Sequence, residues 1–236
     1  MSVDESAGGP ATDGPATDGP ATDGPPPPRQ PRPRGRKAEA AINDGLILQA
    51  AREVLTTAPD TPMAEIAARA HVGVGSLYRR FPSKEALAYR LCLDGMSALA
   101  DVARDSLDDL RREDPWQVFV GFIHGAIEAG AGSLRGLAGT FVPDDALNRV
   151  AVEMAALIQE LLDRVQAAGA VRDDITANDV GLFFEMLRAI RVGDPKRSDQ
   201  LRGRYIDLFA PGFRPAASKL RGTPPTWAEI SGPWNP

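Results

Sequence analysis

The stretch "AHVGVGSLYRRF", which runs from Ala70 to Phe81, decides how the rest of the chain is interpreted. It combines two glycines, a histidine, a tyrosine and a pair of arginines in twelve residues. Three interpretations compete: a glycine-rich loop that holds a phosphate, an ordinary turn, and a segment that contacts DNA. The neighbouring sequence separates them.

The residues before this stretch predict two helices. Asn43 has the side chain of a good N-cap, and apolar residues recur after it at three- and four-residue spacing until about residues 56–58. Thr61 is the predicted cap of a second helix, with Pro62 at the first helical position, where its missing N–H costs nothing. The apolar side of this second helix comprises Met63, Ile66, Ala67 and Ala70.

The stretch itself predicts a turn followed by a third helix. The letters "HVG" break the helical period, and a short helix over Val74–Arg80 is expected to stop before Pro82. Ser83 is the predicted cap of a long fourth helix. Two short helices around a tight turn are typical of a helix-turn-helix. A phosphate-holding loop would need a preceding strand and either Lys-Ser/Thr or a third glycine, and this pattern lacks them.

Charge is distributed unevenly along the 236 residues. The net charge is −5, but residues 29–92 hold eleven Lys/Arg and six Asp/Glu, whereas residues 1–28 carry five acids and no base. The charge of a segment, rather than of the whole chain, decides where a phosphate backbone is attracted. The basic segment coincides with the helix-turn-helix pattern and therefore favours contact with DNA.

Three pieces of this region occur in an order that identifies a family. "INDGLILQAAREVL", "TPMAEIAARA" and "VGVGSLYRRFPSKEALAYRL" together resemble the DNA-binding domain of the tetracycline-repressor (TetR) family. The combination is far more specific than the glycine pair alone. The resemblance implies an all-α homodimer with three N-terminal helices that bind double-stranded DNA. It also implies a variable C-terminal helical bundle that binds a small-molecule effector.

The resemblance assigns DNA contacts to the third helix and its surroundings. It implies that Gly75 lets the backbone approach DNA closely and that Ser76 donates a hydrogen bond to phosphate, as does Tyr78 unless it packs in the core. Arginine is the side chain best suited to bidentate contacts with guanine, although either arginine of the pair could simply be solvated. The expected contacts in this region are Gly73, Val74, Gly75, Ser76, Tyr78, Arg79, Arg80 and Lys84.

Three positions depart from the family pattern. His71 occupies a turn position that usually holds glycine, so we expect a positive φ, which histidine tolerates better than most residues. Gly73 stands where Ser or Thr commonly caps the recognition helix. Val74 stands where Lys is common, and it would offer an apolar contact to a thymine methyl group. Leu77 and Phe81 are expected to point inward and hold the helix in place.

Residues 1–37 are predicted to be a disordered leader. The repeat "GPATD" begins at Gly9, Gly14 and Gly19, and such a segment has too little apolar surface to offset its ordering entropy. The following "RQPRPRGRK", residues 29–37, is either a solvated linker or a basic arm that reaches a minor groove. In the second case Arg34 and Arg36 would contact DNA.

The remaining sequence divides into a DNA-binding domain (38–97), a helical ligand-binding and dimerisation domain (98–220) and an irregular tail (221–236). Helices are predicted over 115–131, 145–168, 177–191 and 196–209, with a short piece near 133–140. Aromatic and Met side chains suit an adaptable apolar pocket, although plain core packing is the alternative for each. The candidate pocket residues are Trp116, Phe119, Phe122, Phe141, Met154 and Phe183.

The helix predicted over 177–191 is apolar on two sides. Val180, Phe183, Phe184 and Leu187 form one stripe, and Leu182, Met186 and Ile190 form another. A helix that is apolar on two sides must bury both, so we expect one side to face a second copy of the chain. The helix over 196–209 would complete a four-helix dimer interface.

Enzymatic chemistry finds no support in the sequence. The pairs Asp108–Asp109, Asp144–Asp145 and Asp173–Asp174 fall at helix ends or turns, where caps and solvated charges are the simpler interpretation. Gly132–Ser133 lacks the pattern of a serine nucleophile. We expect no cofactor, no metal site and no membrane span, and the single Cys92 is consistent with a reducing cytoplasm.

These observations predict a DNA-binding transcriptional regulator, most simply a repressor that a small molecule releases from its operator. The alternative is a helical protein-interaction module that does not bind DNA. The retained Arg79, Arg80 and Lys84 argue against that alternative.

Overall fold

The computed structural model describes residues 34–55, 58–137 and 139–231, and within these ranges the chain is helical without any strand. An all-α fold is therefore confirmed. The α-helices are α1 (Arg34–Leu55), α2 (Met63–Arg69), α3 (Val74–Arg80), α4 (Lys84–Asp109), α5 (Pro115–Glu128), α6 (Asp145–Ala167), α7 (Ala177–Arg188), α8 (Pro195–Phe209) and α9 (Trp227–Ser231). Two 3-10 turns, Leu134–Leu137 and Ala210–Phe213, follow α5 and α8.

The first helix begins earlier than the sequence predicted. Helix α1 starts at Arg34, so Asn43 lies in its interior and is not its N-cap. The physical reason is composition: after Pro33 no proline interrupts, and Arg, Lys, Ala and Glu are strong helix formers. Residues 34–37 are thus helical rather than part of a flexible arm. The "GPATD" repeats, Arg29 and Arg32 lie outside the described residues.

The start of α2 also differs from the prediction. Pro62, not Thr61, is the N-cap, since its carbonyl accepts from Glu65 N–H and Ile66 N–H. The Thr61 hydroxyl instead donates to the Ala58 carbonyl at 2.8 Å and closes the preceding turn. A threonine hydroxyl beside a helix start can form a hydrogen bond either with the helix or with the preceding turn, and the Thr61 hydroxyl bonds to the turn.

The turn between α2 and α3 agrees with the sequence analysis. His71 has a φ of 54°, and it is the non-glycine residue with positive φ among those described. Helix α3 occupies Val74–Arg80, as predicted, and Ser83 caps α4 by accepting from Ala86 N–H at 3.2 Å. Met63, Ile66, Ala67 and Ala70 are buried, as their spacing predicted.

Helix α4 joins two cores. Leu87 and Leu91, in its first half, pack with α1, α2 and α3. Leu99 and Ala103, in its second half, pack with α5, α6, α7 and α8. The 26-residue helix therefore links the helix-turn-helix rigidly to the C-terminal bundle.

The tail is less irregular than predicted. Residues 227–231 form α9, and Thr226 with Glu229 makes a capping box that the sequence analysis missed. The Thr-x-x-Glu spacing in "TWAE" is the signal that predicts such a box. A second capping box, made by Thr176 and Asp179, starts α7.

Candidate functional site

Helix α3 shows one face to the protein and the other to solvent. Leu77 is fully buried and Phe81 nearly so, and both anchor α3 on the core formed with α1 and α2. Val74, Tyr78 and Arg79 lie on the exposed side. Tyr78 is 48% exposed, which supports the interpretation of this tyrosine as a surface residue over packing in the core. Because this side of α3 is exposed, the helix is free to enter a DNA groove.

The two glycines of α3 leave open space beside the backbone. A Cβ placed on Gly73 or Gly75 would meet no heavy atom within 4 Å. Packing within the protein therefore does not require glycine at either position. Gly73 is the N-cap of α3, and close approach of the backbone to a ligand is one physical use of an exposed glycine such as Gly75.

The two arginines of α3 have different surroundings. Arg80 forms an ion pair with Asp44 of α1 and is only partly exposed, so this side chain ties α3 to α1. Arg79 is exposed and has no hydrogen bond or ion pair with the described part of the chain. From the sequence alone, Arg79 and Arg80 had the same expected role, whereas the fold gives them different contacts.

Lys84 and the N-terminal arginines complete the predicted DNA contacts. The Lys84 ammonium donates to the Pro59 carbonyl at 3.1 Å and thereby links the start of α4 to the turn before α2. Ser76 is half-buried in the first turn of α3. The backbone of Arg34 and Arg36 lies in the first turn of α1.

Most of the predicted pocket residues pack in the core. Trp116, Phe119, Phe122 and Phe183 are buried, and Phe213 joins Phe119 and Phe183 at ring-centroid distances of 5.5 and 5.2 Å. These four aromatic residues line neither of the two cavities described below. Local spacing could not distinguish such packed rings from rings around a cavity.

Phe141 also lies outside the cavities. Its ring makes an edge contact with Tyr89 of α4 at 5.7 Å. The Tyr89 hydroxyl donates to the Asp144 carboxylate at 3.0 Å, and that carboxylate caps α6 through Leu147 N–H. These hydrogen bonds hold the pKa of Asp144 below its usual range, the Leu147 N–H having the larger effect.

An apolar cavity of about 540 Å³ lies among α4, α6, α7, the loop at 130–132 and α9. Met154 is the predicted pocket residue that lines it. The other apolar side chains that line the cavity come from distant segments, which local spacing does not bring together: Met96, Leu99, Ala131, Pro143, Leu147, Ala151, Ala155, Ile158, Ala177, Phe184, Trp227 and Ile230. The volume is that of a typical small-molecule site.

A larger polar cleft, of about 1230 Å³, lies between α1 and the C-terminal bundle. Arg52 of α1 donates to the Ala129 carbonyl at 3.0 Å, and Arg188 donates to the carbonyls of Ile127 and Ala131. These arginines satisfy carbonyls at the end of α5. Burial, with nearby guanidiniums, lowers the pKa of Arg188 to about 10.

Other chemistry is sparse in the described ranges. No group of three or more His, Cys, Asp or Glu there could hold a metal ion. Cys92 is fully buried, and desolvation raises the pKa of its thiol to about 12, which keeps it unreactive.

Asp174 is not a solvated charge as predicted, because Arg172 pairs with it in a largely buried contact. Among the helices described, none is long and apolar enough to cross a membrane.

The outer faces of α7 and α8 expose apolar side chains. Val180, Phe183, Phe184 and Leu187 are buried, as the first stripe of α7 predicted. On the second stripe Met186 is 62% exposed, and α8 exposes Tyr205, Leu208 and Phe209. Exposed large apolar side chains that lie together on a protein surface are typical of interaction sites.

Comparison with known families decides the identity of this fold. A model for bacterial regulatory proteins of the tetR family matches residues 47–91, which contain α2 and α3. A model for the C-terminal domain of SbtR-like transcriptional regulators matches residues 114–215. Together they cover more than half of the chain. The chain belongs to the TetR family. It is a DNA-binding transcriptional regulator, and the family consists of regulators rather than enzymes.

Solved TetR structures resemble this chain over most of its length. A TetR transcription regulatory protein from Mycobacterium vanbaalenii is 27% identical, with 76% of this chain and 99% of that chain covered at a TM-score of 0.49. A TetR transcriptional regulator from Streptomyces coelicolor is also 27% identical, with 74% and 99% covered at 0.48. Among curated protein sequences no significant match is found.

Proposed function

We propose that this TetR-family chain binds operator DNA as a homodimer and represses transcription until a small molecule releases it. The observation that carries the proposal is α3, whose buried Leu77 fixes a helix with Tyr78 and Arg79 free on its outer face. Such a helix fits the major groove. The protein would act in the cytoplasm.

The proposed DNA contacts are of two kinds: those that recognise bases, and those that position α3 through phosphates. Arg79 is the proposed base reader, and Val74 offers an apolar surface to a thymine methyl group. Ser76, Tyr78, Arg80 and Lys84 would position the helix through phosphate contacts, with Arg80 also held by Asp44. Gly73 and Gly75 would admit the DNA backbone, and Arg34 and Arg36 would add phosphate contacts from the start of α1.

A second copy of the chain is the proposed occupant of the exposed apolar surface on α7 and α8. Two DNA-binding domains held by a symmetric dimer would reach half-sites in successive major grooves. The domain boundaries proposed from sequence, 38–97 for DNA binding and 98–220 for ligand binding and dimerisation, place α7 and α8 in the second unit.

The position of the apolar cavity supports an influence of a bound ligand on the DNA-binding helices. Met96 and Leu99 of α4 line it, and the same helix packs against α1, α2 and α3. Leu147 of α6 lines the cavity and also belongs to the core of the DNA-binding part. A ligand that favours one arrangement of these residues would shift the population between DNA-binding and released dimers.

The experiment begins with selection of bound fragments from the source genome by the purified full chain. Fluorescence anisotropy then measures affinity for a selected fragment across a salt series. We expect a steep loss of affinity as salt rises, because Lys and Arg contacts release counterions from DNA. No selected fragment, or a flat response to salt, would instead support the protein-interaction alternative.

A further inference from the structure

The chain after α8 runs back across the bundle in a defined course. We name residues 214–231 the C-terminal strap. Arg172 donates to the Ser218 carbonyl at 3.0 Å, and the Asp174 carboxylate accepts from Leu220 N–H at 2.7 Å. Asn178 donates to the Pro225 carbonyl at 2.9 Å. Three side chains on or just before α7 therefore fix the path of the strap.

The strap ends on the apolar cavity. Trp227 and Ile230 of α9 line the cavity together with α4, α6 and α7. Trp227 is still 59% exposed, so it lies across the rim rather than inside the core. Helix α9 has five residues and owes its start to the Thr226–Glu229 capping box. A helix this short is not stable alone, so α9 can detach easily from the rim of the cavity.

The cavity wall defines the chemistry of its ligand. Its surface is predominantly apolar, and the described residues that line it include no Lys, Arg or His to pair with an anion. The polar groups are the side chains of Asn148, Gln159, Asn178 and Glu185. An anionic ligand would be buried without a counter-charge among these lining residues, which is costly. A neutral or cationic apolar molecule meets no such penalty.

We propose that the C-terminal strap is the lid of this cavity and that the cavity takes a largely apolar small molecule without an anionic group. Trp227 and Ile230 form the lid's inner surface, and the amide of Asn178 supplies a hydrogen bond. Because Asn178 also holds Pro225, ligand entry and strap position are linked through one side chain. The inference rests on the proposed effector role of the cavity.

The test uses two fluorescent probes that share a ring skeleton and differ in charge. N-phenyl-1-naphthylamine is neutral, and 8-anilino-1-naphthalenesulfonate adds a sulfonate. We expect the neutral probe to bind the full chain at least about tenfold more tightly than the anionic one. Equal or tighter binding of the anionic probe overturns the assigned ligand class.

Four variants separate the cavity from its lid. Ala155→Trp fills the cavity and is expected to abolish binding of the neutral probe. Trp227→Ala, and deletion of residues 222–236, should speed its dissociation by about tenfold or more, since the aromatic side chain that lies across the rim of the cavity is lost. Leu220→Ala, which removes an exposed side chain from the same strap, should change nothing. Loss of binding in Ala155→Trp with unchanged dissociation from both lid variants refutes the lid but retains the cavity.

A second measurement needs no variant. Lys219 and Arg221 are exposed on the strap and can be cut by trypsin. We expect the neutral probe to slow cleavage at these two sites, whereas cleavage at Arg111, in the turn after α4, stays the same. Unchanged cleavage of the strap contradicts the lid. DNA affinity measured without probe reports separately on the proposed regulator, so the two ideas fail independently.

Discussion

At the scale of single residues, His71 shows how a turn limits its own sequence. Its φ of 54° lies in the left-handed region, where a side chain branched at Cβ clashes with the backbone. The side chain is exposed, and its place is explained by backbone geometry without any metal or catalytic role. His71 therefore belongs to the turn that joins α2 to α3.

We expect His71→Val to destabilise the protein by about 1–3 kcal/mol, because valine is strained at this φ. His71→Asn is the matched control and should cost little, since asparagine tolerates the left-handed region. Urea unfolding of both variants measures the difference. Equal midpoints for the two variants would show that the turn relaxes without strain.

Arg79 and Arg80 provide the second prediction at this scale. Arg79→Ala should weaken operator binding by about 1–3 kcal/mol while leaving the unfolding midpoint unchanged, because Arg79 is exposed and makes no hydrogen bond or ion pair with the described part of the chain. Arg111→Ala removes the same charge from an exposed position beyond α4 and is the control. Anisotropy titrations on one DNA fragment compare them. Similar losses in both variants would mean that only net charge matters.

At the scale of elements, α4 and the C-terminal strap have opposite properties. Helix α4 has 26 residues and contributes buried side chains to both cores, so it connects them directly. The strap is held by Arg172, Asp174 and Asn178 through single hydrogen bonds to its backbone. A long helix suits transmission of a change, and a lightly held segment suits opening.

The acid response of the strap follows from Asp174. Hydrogen bonds from Arg172, and then from Leu220 N–H, hold the pKa of its carboxyl far below the unfolded value of about 3.9. Stability from this group is therefore complete above pH 4 and is lost as the pH falls through the folded value. Asp174→Asn should lower the urea midpoint at pH 7, and the deficit should shrink as the pH falls below 4.

Asp173→Asn is the control, because the Arg172 guanidinium hydrogen-bonds to Asp174 and Asp173 is exposed. Its urea midpoint should stay near that of the unchanged protein at every pH. A deficit for Asp174→Asn that stays constant between pH 7 and pH 3 would contradict the assigned role of its charge.

At the scale of the whole molecule, the exposed apolar surface on α7 and α8 predicts a dimer. Met186→Glu combined with Leu208→Glu should convert a two-chain particle into a single chain of 25.1 kDa, because buried charges oppose association. Val142→Glu changes an apolar residue that is 88% exposed elsewhere and is the control. Size-exclusion chromatography with light scattering measures the mass, and a single-chain mass for the unchanged protein would contradict the proposal.

The sequence by itself determined the features that depend on neighbours along the chain. The helix-turn-helix order, the positive φ at His71, the bounds of α3 and the caps at Ser83 and Thr176 follow from local periodicity and backbone chemistry. Local signals were misjudged at Asn43, where helix propensity extended α1, and at the Thr226 box, which was overlooked.

Only the tertiary structure decided which side chains share a site. The ion pair of Arg80 with Asp44 crosses from α3 to α1, and the cavity combines residues from 95 to 230. Core aromatics and cavity-lining residues have the same apolar pattern along a helix. The space between helices is set by how they pack rather than by the residues of any one of them. That is why the family could be predicted from twelve residues and their neighbours, whereas the cavity and its lid could not.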